Sequence, residues 1–140
     1  MTIKERQEEL IEEFAMFDDW MEKYEYIIDM GKDVVGISEE LKSEDNLVKG
    51  CQSRVWLVPS RTEGKLHFEA DSDAIITRGI VGMVVRVLSN ATAEEILNAE
   101  LFFVDQIGLK EHLSPTRSNG LVSMIKKIKT YALAYSVKAN

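Results

Sequence analysis

The chain has few of the residues from which reactive centres are usually built. Its 140 residues include one cysteine and two histidines. A single thiol excludes an intramolecular disulfide and a multi-thiolate metal centre, and two dispersed histidines beside it match no zinc-ligand spacing. The expectation is no metal. There is no P-loop to cradle phosphates. No apolar run reaches the roughly 20 residues that cross a bilayer; the longest, Ile75 to Leu88, is interrupted by Thr77, Arg78 and Arg86. Met1-Thr2-Ile3-Lys4-Glu5-Arg6 has no apolar signal core, so a cytoplasmic protein with a reduced thiol is expected. Basic residues are outnumbered 17 to 24, for a net charge of −7. That balance opposes non-specific binding to nucleic acid.

The chain contains 45% hydrophobic and 29% charged residues, the composition of an ordinary soluble protein. It is long enough for a core without covalent staples. No repeat, low-complexity segment or linker divides it, so residues 1–140 read as one domain. Acid is concentrated in Glu5 to Glu25 and Glu39 to Asp45. Base gathers at Lys126, Lys127 and Lys129, which read as a solvated helix face.

Apolar spacing sketches the elements. Leu10, Phe14 and Phe17 share one helical face. Asp19 with Glu22 resembles a capping box, and Trp20, Tyr24, Ile27 and Ile28 form a second stripe stopped at Gly31. The aromatics there read as core. Lys32 to Lys49 reads as irregular. Arg54 to Val58 is a strand ended by Pro59, and Lys65 to Ala70 alternates with Leu66, Phe68 and Ala70 on one face. A hairpin through Thr62-Glu63-Gly64 joins them, and a third strand around Leu47 is an open possibility. Ile75 to Leu88 reads as a buried helix capped from Asp71-Ser72-Asp73, with Gly79-Ile80-Val81-Gly82 marking close packing. Thr92-Ala93-Glu94-Glu95 opens another helix, and Leu101 to Ile107 is a short one closed by Gly108. Pro115 and Ser118-Asn119 precede a last helix carrying Leu121, Ile125, Ile128, Ala132 and Tyr135. The class is α+β, a small antiparallel sheet packed against several helices.

Cys51 is either a packed side chain or a nucleophile. Free cysteines are often buried, but Gly50-Cys51-Gln52-Ser53 reads as a loop tip entering a strand, where functional residues are displayed. Gly50 leaves room for close approach. A working thiol must ionise, and Lys49, Arg54 and Arg117 are the cations that a fold could bring near. His67 falls on the polar side of its strand and reads as solvated. His112, beside Pro115, reads as a hydrogen-bonding turn residue more than as ligand or base. A Cys–His hydrolase has no supporting signature.

Three ordered stretches go further: Gly50-Cys51-Gln52-Ser53-Arg54-Val55-Trp56, Asp71-Ser72-Asp73-Ala74-Ile75-Ile76 with Gly79, and His112-Leu113-Ser114-Pro115-Thr116-Arg117-Ser118-Asn119-Gly120-Leu121. With Trp20-x-x-Lys23-Tyr24 and Tyr26-Ile27-Ile28 they resemble the SufE family of sulfur acceptor proteins over most of the chain. The resemblance implies an α+β fold shared with IscU-type scaffold proteins. It also implies a carrier that stimulates a cysteine desulfurase of SufS type and takes its persulfide sulfur onto Cys51. Delivery would be to a SufBCD-type assembly complex. Pyridoxal phosphate would belong to the desulfurase, with no cofactor bound by this chain. Gly50, Gln52 and Ser53 would shape the loop, and Asp73, His112 and Arg117 fall on motif positions. Arg117 would stabilise anionic sulfur, or else serve as a helix-start or surface ion-pair residue. Asp105 stands where the family can carry glutamate, which leaves a shared carboxylate role open. One thiol cannot replace the ligands of a cluster scaffold. A redox-sensing thiol and a non-transferring desulfurase adaptor are the competing readings. Monomer and homodimer both stay open, as does the resting exposure of Cys51.

Overall fold

A computed structural model describes residues 1–137. Seven helices surround one two-stranded antiparallel ribbon among the described residues. Helices α1 (Ile3–Ala15) and α2 (Trp20–Lys32) lead through two 3-10 turns, Glu39–Leu41 and Glu44–Asn46, to β1 (Val55–Thr62) and β2 (Lys65–Ser72). Then come α3 (Ile75–Leu88), α4 (Ala93–Asn98), α5 (Phe103–Ile107), α6 (Leu109–His112) and α7 (Pro115–Val137). The architecture is the α+β arrangement that the apolar pattern predicts.

Local chemistry places most boundaries. Thr2 and Glu5 close a reciprocal capping box on α1, and Thr92 and Glu95 close another on α4. Asp19 accepts the Glu22 N–H at 2.9 Å, which starts α2. The hairpin turns through Glu63 (φ 54°) and Gly64 (φ 79°), the pair of positive angles that suits a two-residue connection. Leu66, Phe68 and Ala70 are all buried, as their alternation requires. Gly108 (φ 86°) closes α5.

Four boundaries differ from the sequence reading. Gly31 does not stop α2, which runs to Lys32; the glycine is buried against α3 instead. Pro59 lies inside β1, opposite Phe68. A two-stranded ribbon has two open edges, where a residue without an N–H is accommodated. Asp71 and Ser72 belong to β2, and the N-cap of α3 is Ala74, with no side-chain hydrogen bond. Ser118 and Asn119 lie within α7, because Pro115 takes its first position, where a missing N–H costs nothing. At Leu47 there is a single bridge to Trp56 and no third strand. The chain turns away at once through Gly50 (φ 96°).

The core is one connected cluster. It runs from Leu10 and Phe14 through Ile27, the ribbon's inner face and α3 to Leu121, Met124 and Ile128 of α7. Helix α3 is its axis, with eight of its residues buried. Gly79 lets α2 come close: a Cβ there would stand 2.7 Å from Ile27 Cγ2 and would overlap the Ile27 carbonyl. This bears out the close packing read from Gly79-Ile80-Val81-Gly82.

Candidate functional site

Cys51 sits on the loop between the bridge residue Leu47 and β1, half-buried against the second turn of α7. The loop lies along α7 because small residues there admit it. A Cβ on Gly120 would stand 3.3 Å from Cys51 Sγ, and a Cβ on Gly50 would stand 3.3 Å from Ser123 Cβ and overlap its hydroxyl. The room beside Gly50 is therefore taken by the chain's own helix.

The thiol donates a weak hydrogen bond to the Gly120 carbonyl, Sγ to O 3.6 Å. Burial pushes its pKa up, because a charged sulfur loses water there and gains no counter-charge. Burial therefore favours the protonated thiol at rest.

A cavity of about 220 Å³ opens beside it, lined by Cys51, Gln52 and Ser53, by Thr77 and Ile80 of α3, and by Ser114, Thr116, Arg117, Gly120 and Met124. Three elements remote in sequence converge on one sulfur. The Ser114 hydroxyl accepts the Arg117 N–H at 3.3 Å, which sets the first turn of α7. Thr77, Ile80 and Met124 were not marked in the sequence. Thr77 and Ile80 are three residues apart on α3, and nothing in their own pattern separates them from core.

Asp73 stands outside the cavity wall and acts on the backbone. Its carboxylate accepts the Arg54 N–H at 3.0 Å, its own N–H donates to the Arg54 carbonyl at 3.2 Å, and the Ser72 hydroxyl donates to the same carbonyl at 2.8 Å. These bonds pin the chain three residues after the thiol. His112 is also outside the cavity. Its Nδ1 lies 3.0 Å from the Gly108 carbonyl, its ring stacks on Trp20 at 4.0 Å, and its own carbonyl accepts the Tyr24 hydroxyl. It organises the turn entering α7. Asp105, exposed on α5, borders a different cavity with Lys110 and Leu121. The structure thus gathers Cys51, Gln52, Ser53 and Arg117 and keeps Asp105 apart. Among the described residues no three His, Cys, Asp or Glu side chains are arranged to hold a metal ion, and no helix is long and apolar enough to cross a membrane.

An α+β domain offering one loop thiol to a polar cavity is the class that fold and site define. A family model for SufE, described as an Fe-S metabolism associated domain, matches residues 8–132. The chain belongs to the SufE family. It is 42% identical over 130 residues to an uncharacterized SufE-like protein of Rhizobium meliloti, covering 89% of this chain and 93% of that one. A second, from Rhizobium etli, is 42% identical over 131 residues, covering 89% and 88%. The fold is similar to the solution structure of a hypothetical protein from Thermus thermophilus, with TM-score 0.75 at 17% identity, over 92% of this chain and 94% of the other. Membership associates the chain with iron–sulfur metabolism.

Proposed function

We propose that this protein accepts sulfur from the persulfide of a pyridoxal-phosphate cysteine desulfurase of SufS type and carries it on Cys51 toward iron–sulfur cluster assembly. The observation that carries this reading is the convergence of Gln52, Ser53, Thr77, Ser114, Thr116 and Arg117 around a half-buried thiol beside an open cavity. In the transfer, Cys51 gives up its proton and attacks the donor's terminal sulfur. A sulfur–sulfur bond forms at Cys51, the donor's breaks, and the donor leaves as thiolate; sulfane sulfur moves with no net oxidation. The cavity has room for the added atom, since even a water needs only about 30 Å³. Arg117, which lines the cavity, supplies positive charge to the anionic persulfide once it forms. The protein brings no cofactor, and it acts in the cytoplasm, where the thiol stays reduced.

The raised thiol pKa has a use in this scheme. A resting protonated sulfur reacts poorly with adventitious electrophiles. Incubation with the cognate desulfurase and free cysteine, followed by intact mass without reductant, tests the proposal. Addition of sulfur at Cys51, reversed by a thiol and absent in Cys51→Ser, supports it. An active desulfurase that leaves the protein's mass unchanged would sink it. Stimulation that survives Cys51→Ser would make the protein an adaptor.

A further inference from the structure

Helix α7 carries Arg117, Lys126, Lys127 and Lys129 and no carboxylate in its 23 residues. Helix α1 carries Glu5, Glu8, Glu9, Glu12 and Glu13 in 13 residues. In a chain of net charge −7, positive charge has been collected on one element, and that element is the one against which the thiol rests.

The loop runs along α7 in the opposite direction. The Asp45 carbonyl accepts from Lys127 Nζ at 3.3 Å, Gly50 packs on Ser123, and Cys51 packs on Gly120. Val48, Lys49, Ser123, Lys126, Lys127 and Thr130 border a second depression of about 230 Å³ beside the thiol. Cations therefore bracket the sulfur along the helix, with Arg117 on one side and Lys49, Lys126 and Lys127 on the other. Gly120 and Lys126 are about 9 Å apart along the axis at 1.5 Å per residue. That is comparable to the Debye length of about 8 Å at physiological salt, so these charges act on whatever approaches the thiol.

Lys49 and Lys126 are exposed, and among the described residues neither makes an ion pair. The internal ion pairs employ Lys32, Lys42, Arg78 and Arg86. Lys129 turns the other way, with its Nζ on the Ala99 carbonyl at 2.8 Å. Lys127 is partly engaged by the Asp45 carbonyl. A phosphate polymer would meet few cations here and many carboxylates elsewhere. A protein surface docking at the thiol meets mainly this face, where Asp45, four residues before Lys49, is an acidic neighbour of the lysines.

We infer that Lys49 and Lys126, with Lys127 behind them, form an electrostatic docking rim for a sulfur-donor protein whose active-site mouth carries carboxylates. The inference rests on the sulfur-acceptor reading and names the chemistry of the partner's surface. Rim charges act mainly on encounter and on salt dependence, with the bound complex reacting normally.

The test is desulfurase turnover with this protein as the varied co-substrate, using Lys49→Glu/Lys126→Glu against a matched control, Lys4→Glu/Lys65→Glu. The rim variant should lose roughly ten-fold or more in kcat/KM through KM, with kcat within about two-fold. The control should match the wild type. Raising salt from about 0.05 to 0.5 M should weaken the wild type toward the variant. A folded rim variant with wild-type KM, or a control that loses as much, overturns the docking rim while sulfur on Cys51 by mass leaves the acceptor reading intact. A wild type that takes up no sulfur removes both.

Discussion

Two places in this fold bring chain unusually close to chain, and they differ in what stands on the far side. At the α2–α3 crossing, a Cβ on Gly31 would stand 2.8 Å from the Gly79 backbone nitrogen, and one on Gly79 would meet the Ile27 backbone. At the thiol, a Cβ on Gly120 would meet Cys51 Sγ at 3.3 Å, and one on Gly50 would meet the Ser123 side chain. The first approach is backbone on backbone and cannot relax without parting two helices. In the second, side chains stand on the far side and can swing. One region is built to stay closed. The other holds its sulfur with contacts that a partner can undo.

Gly79→Ala tests the first half and should have the largest effect. The new methyl has no rotamer to escape into, and overpacking of this kind costs about 3 kcal/mol. The urea midpoint should fall with the slope unchanged. A loss below about 1 kcal/mol would show that α2 and α3 separate easily, and the contrast would fail.

Gly120→Ala tests the second half. The 3.3 Å approach to Sγ forces the thiol a few tenths of an ångström outward, at a cost of about 1 kcal/mol. The burial lost in that shift lets its pKa move down in the direction of the ordinary thiol value. Alkylation near neutral pH should therefore rise, since a lower pKa leaves more of the thiol as reactive thiolate. The wild-type rate should climb with a midpoint above that of a free thiol, the direction that burial imposes. An unchanged rate in a folded Gly120→Ala would mean that this seat does not hold the proton on.

The same division explains which parts of the molecule were legible in its sequence. Signals carried by a few neighbouring residues came through: both caps at Asp19 and Thr92, the Glu63-Gly64 turn, the alternation of β2, and α3 from Ile75 to Leu88. Signals that depend on a distant partner mostly did not; Gly79, read as a close-packing site, is the exception. Gly31 looked like a helix stop because its reason for being glycine is Gly79, 48 positions away. Pro59 looked like a strand end because the sequence does not say that the sheet has only two strands. Asp73 looked like a cap for α3, and its bonds reach back to Arg54. At the site, Cys51 and the motif around Arg117 were marked from sequence. Thr77, Ile80 and Met124, which complete the cavity, could be found only once α3 and α7 were seen to meet there.

Charge follows the same line, and here the expected effects are smallest. Near the rigid crossing, cations are paired: Arg86 donates to Glu9 and Glu13, and the Tyr26 hydroxyl donates to Glu13 as well. The Arg86 hydrogen bond, with help from Tyr26 and against the cost of burial, holds the Glu13 carboxyl below its ordinary value. A depressed carboxyl contributes stability that is fully present above its unfolded pKa of about 4.3. That contribution is lost as pH falls through the lower folded value. Glu13→Gln should therefore cost about 1 kcal/mol near pH 7, the scale of a partly exposed pair. The difference from wild type should close at acid pH. Among the described residues Lys126 has no such partner, and Lys126→Ala should leave stability within about 0.5 kcal/mol. Measured together across pH, the two variants set a charge that holds the fold against a charge kept free. A Lys126→Ala loss as large as that of Glu13→Gln would place Lys126 among the structural pairs, and its availability to a partner would have to be given up.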